Sequence, residues 1–396
     1  MNLQAPPVPH YDPFDYRTHE DPYPIYRRLR DDAPAYFNEK YGFWALSRYA
    51  DCVAALRDFK TFSSADGTNL EPLKAQVAYV QTTDPPTHTR LRHLIAPMLT
   101  PQKVVALEDA VRRMARELLE PHLASGRLDI IVDFAARLPM AIICQLLGFP
   151  REDEDMVRGW TDLVVHREEG VFEMPEAGLQ ATLKLYDYFQ KAFEARKGKP
   201  PRGDLMDRLI EAEAAGNLTH DEMLGYLYIL SIAGNETTTK LIGTMVHQLH
   251  RNPDQKEMLR ADPKLARGVV EETLRLDGPT QMQARTTTRD VELHGRTIEA
   301  GRKVALLFIS ANRDERHYAN PDRFDIRRNA VDHLGFGGGL HSCLGSALAR
   351  LEGRVALEEI MRLLADFTVD EAGLRRMHSP AVRGFTHVPV SFTGRA

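Results

Sequence analysis

The chain of 396 residues carries 43% hydrophobic and 27% charged residues with a formal net charge of -5, an ordinary globular composition. That balance gives no electrostatic footprint for DNA or RNA, which excludes nucleic acid as a ligand. The length exceeds the roughly 250–300 residues at which single cores usually stop growing, so size alone favours two domains.

The opening MNLQAPPVPHYDPFDYR has no basic stretch followed by an apolar core, and no apolar run approaches the ~18 residues of a membrane span. A cytoplasmic protein without a membrane span is expected. DPYPIYRRLR predicts a short helix and AYFNEKYGFWALSRY a hairpin. DPPTHTRLR sets two prolines before a helix start, with His88 and Arg92 on one face, where an ordinary basic surface is the simplest account. From Leu107 to Leu276 helical spacing dominates: LEDAVRRMARELLEPHL, MAIICQLLGF and LQATLKLYDYFQKAFEARKGKPP repeat apolar residues three or four apart and stop at Gly or Pro.

LTHDEMLGYLYILSIAGNETTTKLIGTMVHQLHRNP predicts one long helix, begun by a Thr219–Glu222 capping box and stopped at Asn252-Pro253. Roughly 32 residues at about 1.5 Å each would span about 48 Å. Leu227, Leu230, Leu241, Met245 and Leu249 mark it as buried, yet AGNETTT places glycine, a carboxylate and hydroxyls at its centre. Such a conflict is expected at functional sites, and Gly234 with the threonines would loosen the helix locally; the alternative turns Glu236 toward solvent or a core water. In LARGVVEETLRL, Arg275 lies three residues from Glu272 and four from Glu271, a spacing that reads as a solvated ion pair worth ~0.2–0.5 kcal/mol.

After Gly278 the texture changes to a small β region, with turns at His294-Gly295 and Ala300-Gly301. Helix returns in SALARLEGRVALEEIMRLLADF, and AVRGFTHVPVSF reads as short strand. With no repeat, low-complexity tract or linker, residues 1–396 read as one mainly α unit with a minor β region, against the prior from length.

Between His333 and Arg350 runs HLGFGGGLHSCLGSALAR. Its glycines free the backbone, and the helix that follows places the Cys343 sulfur at a positive dipole end, which favours thiolate. Cys52, Cys144 and Cys343 are odd in number and far apart, without a CxxC pair, so neither a disulfide framework nor a zinc ribbon is supported. Neither GxGxxG nor GxxxxGK[ST] threads through the loop. On the loop alone a buried hydrophobic thiol, a metal ligand, a nucleophile with His341 nearby and a redox thiol all stay open.

FGGGLHSCLG resembles the haem-binding signature of the cytochromes P450, matching it at Phe336, Gly337, Gly339, His341, Cys343 and Gly345. The resemblance implies the cytochrome P450 fold and haem b, with Cys343 as thiolate ligand of the iron, Phe336 shielding the sulfur and His341 reaching a propionate. AGNETTT is similar to the family's oxygen-activation motif, which implies Ala233 and Gly234 against the haem and Glu236 and Thr237 as the acid and alcohol that deliver protons. Glu272 and Arg275 match its ExxR pair, with Arg323 of NPDRF as the third, structural member. His88, Arg92 and Arg285 match further propionate partners, a task that suits the arginine fork.

The function so implied is insertion of one atom of O2 into a hydrophobic small molecule such as a terpenoid, steroid, fatty acid or polyketide. Electrons would come from a ferredoxin or flavodoxin with an NAD(P)H-dependent reductase, steered by Arg350, Arg112 or Arg113. The resemblance places the substrate between residues 65–80, 163–185, the AGNETTT helix, 279–282 and 385–386, with Asp66, His166 and Arg167 available for a polar end. Beside this stand a peroxide-driven or isomerising haem enzyme, a haem sensor with no need of the Glu236-Thr237 pair, and a cysteine hydrolase without haem.

Overall fold

In the computed structural model, residues 9–71 and 79–394 are described. The expected hairpin forms from Ala35–Asn38 (β1) and Phe43–Leu46 (β2), joined through Gly42 at φ 70. With Phe62–Ser63 (β3), Met282–Thr287 (β4) and Lys303–Leu307 (β5) it builds a five-stranded sheet in the order β1-β2-β5-β4-β3, in which only β2 and β5 pair parallel. Trp44, Leu46, Val304 and Leu306 pack on one face, and Phe43, Ala45, Ala305 and Leu307 on the other. Both faces are covered, which is why KVALL reads as a continuous apolar run. The turn signal at His294-Gly295 is a real one: both residues have positive φ and join two short strands.

The helices that frame the site are α1 (Thr87–Ile95), α2 (Glu108–Leu119), α3 (Leu138–Leu147), α4 (Glu154–Val165), α5 (Glu176–Arg196), α6 (His220–Ala233), α7 (Glu236–Arg251), α8 (Ala266–Asp277) and α9 (Ser346–Leu363). They serve two cores. Val111, Met245, Val270, Leu274 and Val355 join α2, α7, α8 and α9 over a three-stranded sheet of Arg127–Asp129, Leu364–Val369 and Pro389–Gly394. Leu91, Met140, Val157, Phe189 and Leu227 join α1, α3, α4, α5 and α6.

The single long helix expected from residue 219 to 252 is therefore two. The capping box is present, since Glu222 N–H donates to Thr219 Oγ1 at 3.2 Å and Thr219 N–H to Glu222 at 2.9 Å. At Gly234-Asn235 the regular bonding stops: Gly234 N–H reaches Leu230, Asn235 N–H falls back to Ile232, and Asn235 takes φ -100, ψ -66. The break lies where the chain leaves one core for the other. A Cβ at Gly234 would sit 2.5 Å from Ile143, so close approach to α3 requires glycine there. Leu227, Leu241, Met245 and Leu249 are buried as expected, but Leu230 is only half-buried.

One expectation about apolar runs fails. Ile130–Leu147 is 18 residues long with mean hydropathy 1.8, long and apolar enough to span a membrane. It is 72% buried inside the protein, so its apolarity serves the junction of the two cores.

Candidate functional site

The Cys343 loop is shaped by two glycines. Gly337 takes φ 65, ψ -148, and Gly339 takes φ 62, where a Cβ would lie 2.1 Å from the Leu56 carbonyl oxygen. The loop doubles back so that Cys343 N–H donates to the Phe336 carbonyl at 2.9 Å, three residues before α9 begins. The sulfur is at once crowded and reachable: its surface is exposed, yet desolvation holds the free thiol above its ordinary value. The Gly345 N–H and the Arg92 and Arg350 charges favour thiolate, but they do not prevail as the dipole reading expected. A metal cation in place of the proton reverses that balance.

Phe336 stands beside this loop with the Arg350 guanidinium 4.4 Å over its ring. Arg350 donates to Glu271 at 2.7 and 3.0 Å, and His333 lies 3.1 Å from the same carboxylate. Burial opposes ionisation of Glu271, but these two partners hold it down to about 2. Glu271 is thus not the partner of Arg275.

Glu272 and Arg275 form a buried pair, against the solvated reading, at 2% and 0% side-chain exposure. All five Arg275 N–H groups are used: two on Glu272 at 2.8 Å, and the others on the carbonyls of Asn312, Pro321 and Arg323. Arg323 therefore joins through its backbone. The side chain that completes the group is Arg328, 3.1 Å from Glu272, which corrects the expected third member. Nothing in NPDRFDIRR distinguishes two arginines five apart; only the fold-back of the loop selects one.

His88, Arg92, Arg285 and His341 do come together from three distant segments. His88 and Arg285 are 2% exposed, and the His88 and His341 rings are 4.4 Å apart. Burial first, then the charges of Arg285, His88 and Arg92, depress His341 to about 3. Burial lowers Arg285 to about 10. Both His88 nitrogens and His341 Nε2 are buried without hydrogen-bond partners, while Arg92 donates to the Ser342 carbonyl at 2.8 Å and Asp84 stands 3.9 Å from His341. Unpartnered donors among guanidinium groups fit a ligand that presents carboxylates, as haem propionates do. Among the described residues no three His, Cys, Asp or Glu side chains form a metal cage, so Cys343 would give one bond to a metal that brings its other ligands with it.

At the α6–α7 break, Ala233 is exposed and Gly234 and Thr237 are half-buried. Thr237 Oγ1 donates to the Ala233 carbonyl at 2.9 Å, closing the broken turn. Glu236 points elsewhere. It is 2% exposed, 3.4 Å from Lys240 Nζ, and close enough to Asp162 of α4 for the two carboxyls to couple, and its burial removes the solvent-facing alternative. Burial, then Glu236 itself, pushes Asp162 up to about 8. Burial also opposes ionisation of Glu236, but Lys240, Asp162 and Arg158 outweigh it and hold Glu236 lowered, so the proton shared by the two carboxyls rests on Asp162. Sequence reading missed Asp162 and Lys240; each shows only as a charge four residues from a partner, Arg158 and Glu236.

Of the expected substrate wall, residues 72–78 lie outside the described residues. Next to them in the chain, Tyr79 lies tilted against Tyr228 at 6.3 Å between ring centroids, and Tyr228 stacks on Tyr186 at 5.2 Å. Asp66 pairs with Lys303, Arg167 is buried against Glu71, and His166 is exposed. Met282 is buried in the sheet, and Phe385 faces Arg376 and His247. Of the proposed steering cations, Arg112 is held by Glu108, Glu358 and Glu359 and Arg350 by Glu271, whereas Arg113 is exposed.

A family model described as Cytochrome P450 matches residues 173–380. Putative cytochrome P450 123 of Mycobacterium tuberculosis is 40% identical over 391 residues, 97% of each chain. Cytochrome P450 109 of Bacillus spizizenii is 35% identical over 380 residues, 94% of this chain and 92% of that one. Among solved structures, CYP109E1 from Bacillus megaterium in complex with testosterone superposes with TM-score 0.89 at 29% identity, covering 95% and 98% of the two chains. Myxobacterial CYP267B1 in complex with myristic acid superposes with TM-score 0.88 at 32% identity, covering 96% and 98%.

Proposed function

Because the chain belongs to the cytochrome P450 family, we propose that it is a monooxygenase that inserts one atom of O2 into a hydrophobic small molecule, using electrons from a separate redox partner. It is a haem-thiolate protein of that family, binding iron protoporphyrin IX. Bound haem supplies the redox centre at which dioxygen is reduced, and electron donation from a thiolate favours cleavage of its O–O bond. The chain's own residues do the rest. Cys343 holds the iron, and His88, Arg92, Arg285 and His341 bind the propionates and so fix the ring. Glu236, next to Thr237 in the chain but turned toward α4, holds one proton with Asp162, and the Thr237 hydroxyl, held on the Ala233 carbonyl, would relay protons into the haem pocket.

The observation that carries this reading is the reachable Cys343 sulfur at the start of α9, faced by unpartnered donors from three segments. The half-exposed apolar face of α6 and the stacked tyrosines support a hydrophobic substrate, as do the testosterone and myristic acid bound by similar structures. We assign residues 1–396 to a single domain. We place it in the cytoplasm, where the NAD(P)H that feeds a ferredoxin or flavodoxin is available, and Arg113 is the free cation on the α2 surface to meet such an acidic partner.

Reduced protein treated with carbon monoxide should show the red-displaced band of thiolate-ligated haem, and Cys343→Ala should lose it. Retention of that band by the variant overturns the assignment. Turnover that needs O2 and a reductant separates the monooxygenase from a peroxide-driven enzyme, and a sensor turns over with neither.

A further inference from the structure

A cavity of about 380 Å³ opens at the end of α7 remote from Glu236 and Thr237. His247, in its wall, lies ten residues beyond Thr237, or roughly 15 Å along the helix axis. It is 7% exposed, and neither ring nitrogen has a hydrogen-bond partner. Arg376 Nη1 is buried in the same state, with the guanidinium 4.0 Å over the Phe385 ring, which also lines the cavity. Unpartnered buried donors around one space require an acceptor. The charge agrees, because three arginines in the wall, Arg251, Arg375 and Arg376, face two carboxylates, Glu20 and Glu371.

A cation is the competing occupant, since His247 Nε2 and His250 Nε2 both approach Glu371 Oε1, at 3.5 and 3.6 Å. The hydrogen bonds argue against it. Val369 N–H donates to His250 Nδ1 at 3.3 Å, which leaves the ring proton on Nε2 and removes that nitrogen as a ligand. The arginines would also repel a metal ion.

We infer that this cavity is a second binding site, for a small oxyanion of phosphate or carboxylate type, held by His247, Arg251 and Arg376. The arginine forks supply paired donors and neutral His247 a single N–H. The inference is independent of the haem chemistry.

Isothermal titration calorimetry of the holoenzyme tests it with inorganic phosphate in one arm and citrate in the other, at ionic strength fixed by sodium chloride. One saturating site is expected, and the tighter arm identifies the source. Arg376→Gln should weaken binding at least tenfold and Arg251→Gln several-fold, while Arg113→Gln leaves it unchanged. Because Arg251 is exposed, its variant keeps the test valid if Arg376→Gln fails to fold. Absence of saturable heat in both arms, unchanged affinity in Arg251→Gln, or saturable Zn2+ binding in place of either anion overturns the site.

Discussion

Charged side chains are arranged differently on the two sides of the proposed haem site. On the Cys343 side they come in opposite pairs, Glu272 with Arg275 and Arg328, and Glu271 with Arg350 and His333. At the α6–α7 break two carboxyls, Asp162 and Glu236, share one space with Lys240. Opposite pairs fix geometry, because removing either partner leaves an uncompensated charge. Two adjacent carboxyls do not both ionise readily, so they keep one proton available. The difference teaches that one side is built to stay still and the other to titrate.

The largest expected effect breaks the static side. Arg275→Met leaves buried Glu272 with Arg328 as its remaining ion-pair partner and takes their donor from the Asn312 and Pro321 carbonyls, and should cost about 3–5 kcal/mol. Urea denaturation measures the loss, and haem content by absorption should fall with it. A variant within about 1 kcal/mol of the parent would show that the pair does not hold the loop.

The titrating side is tested by Asp162→Asn. Parent turnover should fall as pH rises through about 8, where the shared proton is lost. The variant should be slower at pH 7 by about a hundredfold, at the low end of what a positioned proton donor contributes, and flat from pH 6.5 to 9. Stability has a definite sign too. The folded value of Asp162 lies above its ordinary 3.8, so its contribution is full below that value and is lost as pH rises through about 8. An alkaline limb that survives in Asp162→Asn would assign the proton to another group.

The same contrast explains what the sequence disclosed. The loop was legible because Gly337, Gly339 and Cys343 answer to local backbone constraints and to contact with one neighbour, Leu56. Helix, hairpin and turn signals also held, since each depends on residues close in the chain. The conflict in AGNETTT was legible, but its outcome was not: the break depends on Ile143 pressing against Gly234 and on two separate cores. The gathering of His88, Arg92 and Arg285 followed from resemblance alone. Asp162 and the His247 cavity had no local signal, because their partners arrive from other helices.

The smallest expected effect concerns the exception on the static side. Glu352 of α9 is 1% exposed, neither carboxyl oxygen has a partner, and burial alone pushes it up to about 8. If pairing is what makes this side rigid, its one unpaired acid among those described here should be its pH-sensitive point. The folded value exceeds the unfolded one, so the stability Glu352 contributes is complete below about 4.5 and drains away as pH rises toward 8. Glu352→Gln removes the titration without changing shape. Its stability relative to the parent should therefore rise by roughly 1–3 kcal/mol between pH 5 and pH 8, after relaxation around the buried acid is allowed for. Denaturation of both proteins at pH 5, 6.5 and 8 measures that slope. A difference independent of pH would mean that Glu352 has a partner after all, and that the static side is paired throughout.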